Sequence, residues 1–293
     1  MKRLTQTLLL LAGVMPVLAW AQCKHEYEID TTRDLTDSRL LEVRAKAGDL
    51  RITGVRGDQL RVRARICASE ADWAVADRVV IRDGESPQVV VKAPELGSKW
   101  TWRAKDYFYV DLMLEVPAGL PLDIQDSSGD VEILNAGPVT MHDSSGDLRI
   151  NGITGALSIR DSSGDIEVME VVGDVIIPND SSGDIAISEV TGAVSVKDSS
   201  GDIRFADITG NVTVVNDSSG EIYGRDINGS VEVGQDSSGD IRFEHVTQDF
   251  MVVRDSSGDI RANHIGGDFT VQNDSSGGIS HREVRGQVSI PGD

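Results

Sequence analysis

The chain has 293 residues, carries 48 Asp and Glu against 28 Lys and Arg for a formal net charge of −20, and is only 4% aromatic. That balance excludes nucleic acid as a partner, because such binding rests on a positive protein footprint, and it disfavours anionic membrane surfaces. Cations and basic partners fit it.

Lys2 and Arg3 precede an apolar run from Leu8 to Leu18, broken only by small residues and Pro16, and then Ala19-Trp20-Ala21. A basic start, an apolar core too short to span a bilayer and small residues before the junction predict a signal peptide over 1–21, cleaved after Ala21. Gln22 stands before Cys23 where a lipobox needs a small side chain, which argues against lipidation. Loss of Lys2 and Arg3 leaves 26 basic against 48 acidic residues, a formal charge of −22. No other apolar stretch approaches membrane-spanning length, so the mature chain is expected to lack a transmembrane segment. The expected location is the periplasm, the cell surface or the medium. The only two cysteines, Cys23 and Cys67, fall in the mature chain. In a compartment that oxidises thiols they are expected to form one disulfide pinning the new N-terminus. Two free thiols and a metal-binding pair are the alternatives.

Residues 22–120 form a region of their own. Gly48-Asp49-Leu50-Arg51-Ile52-Thr53-Gly54 and Leu60-Arg61-Val62 carry an apolar spacing that recurs throughout the second half. From Cys67 to about Pro117 that spacing is lost. Ser69 to Ala76 is a short helical candidate, and Val79 to Arg82 and Val89 to Val91 are β-rich. An aromatic run comes next, Trp100-Thr101-Trp102 with Tyr107-Phe108-Tyr109.

Residues 121–293 are a repeat. Asp-Ser-Ser-Gly begins at Asp126, Asp143, Asp161, Asp180, Asp198, Asp217, Asp236, Asp255 and Asp274, at spacings of 17 to 19 residues, and in seven of the nine the next residue is Asp. Each period holds two short alternating runs, such as Ile203-Arg204-Phe205 and Val212-Thr213-Val214. Alternation with period two is a strand signal. One apolar column reads from Val131 through Leu148, Ile166, Ile185, Ile203, Ile222, Ile241 and Ile260 to Ile279. A second runs from Val139 to Val288, and a third, just before a frequent glycine, from Ile153 to Val284. A two-strand unit of this size cannot bury its apolar face alone, so the units must stack in register, about 4.8 Å apart. The fold expected is therefore all-β, a single-stack β-solenoid (β-helix) of about ten two-strand coils, about 50 Å long. A sandwich or barrel would need hairpins and varied turns instead of one recurring turn. An open stack exposes core and strand edges, so its ends need atypical caps. The aperiodic segment before Pro117 reads as the N-terminal cap, with Trp100, Trp102, Tyr107 and Tyr109 either plugging the open core or forming a partner face.

The run from glycine to motif Asp is six residues at Gly155 to Asp161 and seven at Gly210 to Asp217. The motif must therefore lie past a corner, and its in-or-out parity is not set by the strand before it. There Asp can close an Asx-turn, Ser can bond the backbone and Gly tolerates positive φ.

The nine Ser-Ser-Gly-Asp-Ile-type turns, each followed by an x-Gly-x-Val-x-Val strand, resemble the bacterial putative-adhesin family with β-strand repeats, domain of unknown function 4097. The similarity covers about Leu41 to the C-terminus and is strongest from Asp126 onward. It implies an exported or envelope-associated solenoid, with adhesion as a label and no catalytic residues. The uniformity of Asp before Ser-Ser sets this chain apart from looser members.

Nucleophilic catalysis has little support. The serines lie in a repeated turn, no Gly-x-Ser-x-Gly elbow is present, and nine equivalent serines suit no single activated residue. Polysaccharide-acting β-helix enzymes are the enzymatic alternative, but they build clefts from long loops and these coils have almost no insertions. A cation-dependent binding module is another. The Asp126-to-Asp274 ladder reads as a solvated turn stack, and calcium, with its need for several oxygen ligands, could offset the repulsion within it. No other cofactor is implied. Asp207, Asp226, His245, His264 and Glu283 align at one-coil spacing, and Asp226, His245, His264 and Glu283 are candidate ligands for zinc or another divalent metal. Salt-bridged surface histidines are the plainer reading. Glu132, Arg149, Glu167, Arg204, Arg242 and Arg261 form an outward column whose charges can pair. The sequence as a whole reads as an exported, non-enzymatic interaction protein, adhesin-like or an envelope scaffold, whose partner is a protein or an envelope or cell-surface component.

Overall fold

The computed structural model describes residues 23–94 and 105–291; the expected signal peptide, Trp100 and Trp102 lie outside them. Two thirteen-stranded sheets face each other along the whole stack. Sheet one runs from His25–Asp34 through Gln59–Ala68, Phe108–Pro117 and Leu50–Val55 to Val131–Leu134, and then coil by coil to Ile279–Val284. Sheet two runs from Val79–Arg82 through Gln88–Val91 and Leu41–Arg44 to Leu122–Gln125, and ends at Val288–Ser289. From Leu50–Val55 onward every pairing in sheet one is parallel and in register, so that Ile203 lies between Ile185 and Ile222. In sheet two the pairings from Gln88–Val91 onward are likewise parallel, so that Val212 lies between Val194 and Val231. This is the expected β-solenoid.

The extra residue of the longer repeats is absorbed as a bulge at the end of the second strand. Val196 pairs with Val214, but Lys197 pairs with Asn216. The slip is complete before the turn, so the backbone N–H of Asp198 donates to Asn216 O at 3.0 Å and the motifs stay level. A bulge holds one unpaired residue without disturbing the pairing beyond it.

All three apolar columns are buried from the first motif coil to the last but one, and only Ile279, Val284 and Val288 in the final coil are half-exposed. Full burial of such side chains contributes about 1.5–3 kcal/mol each. Beside them runs a fourth column, which carries Phe205, Gly224, Phe243, Ala262 and His281 in successive coils. Gly224 is there for room, since a Cβ on it would lie 2.1 Å from the Phe243 ring. The Phe205 and Phe243 rings stack across it at 6.4 Å, and Phe250 and Phe269 continue the aromatic packing. The exposed His281 ends the column at the C-terminal face with a polar ring.

The N-terminal region departs from expectation in three ways. Leu50–Val55 does stack ahead of the nine motif coils, but its coil partner is Leu41–Arg44. Leu60-Arg61-Val62 belongs to the strand Gln59–Ala68, which runs antiparallel to both His25–Asp34 and Phe108–Pro117. Alternation with period two is the same for either strand direction, so spacing alone could not separate these cases. Second, the helix expected over Ser69 to Ala76 is absent. The segment is turns followed by a 3-10 helix, Ala76–Arg78, and Arg78 ties it down through Nε to Trp73 O at 3.3 Å. Third, the period does not stay lost to Pro117, because Gln88–Val91 and Phe108–Pro117 each add a parallel strand to the stack. The strands Val79–Arg82 and His25–Asp34 close the two sheets antiparallel, as an end cap should.

His25 pairs with Ala68, which brings the two residues ahead of the first strand onto the end of its neighbour, and Cys23 and Cys67 are joined in a disulfide with Cα atoms 5.6 Å apart. Thiol labelling of the denatured, unreduced protein should therefore find no free cysteine. Two labelled thiols would remove the staple that ties the N-terminal strand to the cap.

Candidate functional site

The repeated turn is where the invariant residues meet. The carboxylates of Asp126, Asp143, Asp161, Asp180, Asp198, Asp217, Asp236 and Asp255 point into the protein and are 0–6% exposed. The expectation of a solvated ladder is overturned: in the shorter coils plain alternation carries Asp161 inward after Ile159 and Arg160, and in the longer ones the bulge restores the same parity. In Asp198, Oδ1 accepts the N–H of Ser199 at 2.6 Å and of Ser200 at 3.3 Å, and Asp161, Asp180 and Asp217 make the same short bond to the next residue. The other oxygen of each has no hydrogen-bond partner, and at Asp126, Asp143 and Asp236 neither oxygen has one. Burial pushes all eight carboxyls above the ordinary carboxylate range, to about 7 at Asp126 and Asp236 and to about 6 at Asp143, Asp180 and Asp217. Like charges in neighbouring coils add to the rise at these five, and at Asp180 and Asp217 the N–H groups of the following serines oppose it.

The rest of the motif binds coil to coil. The second serine donates its hydroxyl to the carbonyl of the first serine one coil back, as Ser200 Oγ to Ser181 O at 3.0 Å and Ser276 Oγ to Ser256 O at 3.0 Å. The glycine holds φ between +115° and +138° and packs against its predecessor so closely that a Cβ on Gly239 would stand 1.7 Å from Gly220 O. The residue after it forms a second acidic ladder that sequence reading left without a role. Asp184 Oδ1 accepts the N–H of Asp202 and Asp240 Oδ1 that of Asp259, each at 2.9 Å. Those N–H bonds, with the nearby Arg204 and Arg261, hold Asp184 and Asp240 below the ordinary range. The outward arginines pair mainly with this ladder. Arg204 bridges Asp184 and Asp202 at 3.2 and 2.6 Å, and Arg261 bridges Asp240 and Asp259 at 2.6 and 2.5 Å.

The candidate metal column sits at a bend in sheet one. Asn135, Glu170, Glu189, Asp207, Asp226, His245, His264 and Glu283 all hold φ of 54–57°, with Gly152 completing the set at 74°. The column is thus first a left-handed backbone position, which Asn, Asp and His tolerate best. Its first half was missed because the amide of Asn135 and the missing side chain of Gly152 break the run of ligand-type residues, although Glu170 and Glu189 carry the same carboxylate chemistry as the second half. Asp226 Oδ1 lies 3.3 Å from His245 Nδ1, His264 Nε2 lies 2.8 Å from Glu283 Oε2, and the two rings are 4.7 Å apart. These are paired, half-exposed side chains. Among the described residues no three His, Cys, Asp or Glu groups converge as a metal site, and that includes the buried ladder.

Of the aromatic candidates, Tyr107 and Tyr109 are half-buried with ring centroids 6.3 Å apart, and the Tyr107 hydroxyl accepts the Lys24 N–H at 2.8 Å. They brace the disulfide-linked end of the cap. Between them Phe108 is buried in the core.

The family model described as Toastrack DUF4097 matches residues 110–233 and again 156–285. Among solved structures, a putative adhesin from Bacteroides fragilis is 14% identical over 90% of this chain and 97% of its own, with a TM-score of 0.37. A putative cell adhesion protein from Clostridium sporogenes is 12% identical over 90% and 98%, with a TM-score of 0.26. No curated protein matches the chain.

Proposed function

Because the chain belongs to the Toastrack DUF4097 family, we propose that it is an exported, non-enzymatic interaction protein, adhesin-like or an envelope scaffold, that presents a repetitive solenoid surface to a protein or envelope component. One observation carries this reading. Every invariant residue of the motif is used by the fold itself: Asp caps its own turn, Ser ties coil to coil, and Gly permits the close stacking. The surface positions that vary between coils are left to face a partner, over two long parallel sheets that no loop interrupts after Pro117. A reaction centre would instead need one coil to differ from the rest. A disulfide at the cap supports the oxidising compartment.

Two measurements test it. An epitope-tagged chain should fractionate outside the cytoplasm and start at Gln22; a cytoplasmic chain retaining its first 21 residues would end the export reading. The labelled mature protein should bind whole cells or envelope vesicles saturably and be displaced by unlabelled protein. Binding that never saturates would end the interaction reading.

A further inference from the structure

We propose that the buried aspartate ladder is a proton-binding site running along the solenoid axis, loaded in mildly acidic surroundings and emptied above neutrality, so that pH sets how tightly the coils hold together. Eight carboxyls, Asp126 to Asp255, sit one per coil in register, each 0–6% exposed. Eight ionised groups in that position would leave a buried row of like charge, which a low-dielectric interior does not tolerate. Something must neutralise it, and the geometry selects the proton.

In five of the eight, one oxygen is occupied by a serine N–H, a donor that suits an acceptor oxygen, while the other is buried with no partner. An orphan carboxylate oxygen becomes a donor once protonated, and the carboxyls of the adjacent coils stand level with it along the stack, an acceptor chemistry that suits it. A proton taken from solvent onto one member of a neighbouring pair removes one charge and supplies a hydrogen bond, as in any pair of carboxyls sharing a proton. A metal cation would need several oxygens around one point, and no three acidic groups converge there among the described residues.

The ends of the ladder also fit. In the coil ahead of Asp126 the equivalent place is Ala45, whose N–H donates to Gln125 O just as that of Asp126 donates to His142 O. The row is thus sealed at its N-terminal end by a methyl group. At the other end Asp274 is half-exposed, which gives protons a way in. Every charge that acts strongly on the ladder is itself a carboxylate: its own members, Asp274 beside Asp255, and Asp49, Asp184, Asp202 and Asp240 from the row after the glycines. Carboxyl values raised to about 6–7 agree with the geometry.

A group whose folded pKa is raised stabilises fully below its unfolded value and loses that contribution as pH rises through the folded value. Asp184 and Asp240, held low, lose theirs only in stronger acid. The mature, disulfide-bonded protein in chelator should therefore melt about 10 °C or more higher at pH 5 than at pH 8. Its infrared spectrum should show a protonated-carboxyl stretch at pH 6 that is gone by pH 8. Asp217→Asn/Asp236→Asn mimics the protonated form, so it should weaken that band and raise the pH 8 melt above wild type. His245→Gln/His264→Gln, which leaves the buried row untouched, should leave the slope in place. A flat melt between pH 5 and 8 with no carboxylic band would overturn the proposal. So would a pH 8 melt that chelator lowers and a metal ion restores, which would make the ladder a cation site.

Discussion

Gly239→Ala should destabilise the protein by about 4 kcal/mol or more, near the top of what single substitutions do. The glycine holds φ at +132°, where a side chain is strained in any surroundings, and the new Cβ would fall 1.7 Å from Gly220 O and 2.6 Å from Gly220 C. Both obstacles are backbone atoms of the coil below, so no rotamer relieves the clash. Separating the coils would break the bond from Gly220 N to Ser238 O, at 3.1 Å, and those on either side of it. Gly57 is the control, with φ at +116° and nothing within 4 Å of its Cβ site. There alanine meets only the backbone penalty, about 1–2 kcal/mol. Urea melts of the two variants separate close stacking from conformational strain. If Gly239→Ala is no worse than Gly57→Ala, the turns of successive coils are not in backbone contact.

That pair also marks what the sequence could and could not reveal. Glycine at each turn is visible as a repeat, and positive φ is the ordinary reading of it; the contact beneath it belongs to two chain segments about nineteen residues apart and has no local signal. The three apolar columns were legible because stacking repeats a residue's surroundings as well as its neighbours. The disulfide was legible from two cysteines behind an expected export signal. Parity of the motif Asp was not, because six residues separate Gly155 from Asp161 and seven separate Gly210 from Asp217. A bulge at Lys197 and Asn216 resolves that difference. Strand direction at Leu60-Arg61-Val62 was illegible for a related reason, since the pattern records which face a residue takes and not which way the chain runs. The left-handed column was seen only from Asp207 to Glu283, the stretch that includes the two histidines, although Asn135, Glu170 and Glu189 hold the same backbone.

Ile203→Asp should be among the most disruptive changes in the chain, and the reason lies five residues earlier. Asp198 is already a wholly buried carboxylate, yet the fold carries it, because it sits at a corner where Ser199 and Ser200 each present an N–H to Oδ1. Its neighbours along the stack are carboxyls able to share protons with it. Ile203 has neither advantage. Its flanking residues in register are Ile185 and Ile222, both fully buried, and its own N–H and carbonyl are committed to the ladder of sheet one. A carboxyl placed there meets only hydrocarbon, so it must ionise without a partner or remain neutral without a hydrogen bond, and both are penalised. The lost packing of the isoleucine adds to this. The expected destabilisation is several kcal/mol, and with about 2–4 °C of melting temperature per kcal/mol for a domain of this size the melt should fall by about 10 °C or more. Lowering the pH from 8 to 5 should recover part of the loss, as the new carboxyl protonates, but not the packing. If Ile203→Asp melts within a degree or two of wild type at pH 8, the column is not buried and the stacked core is wrong.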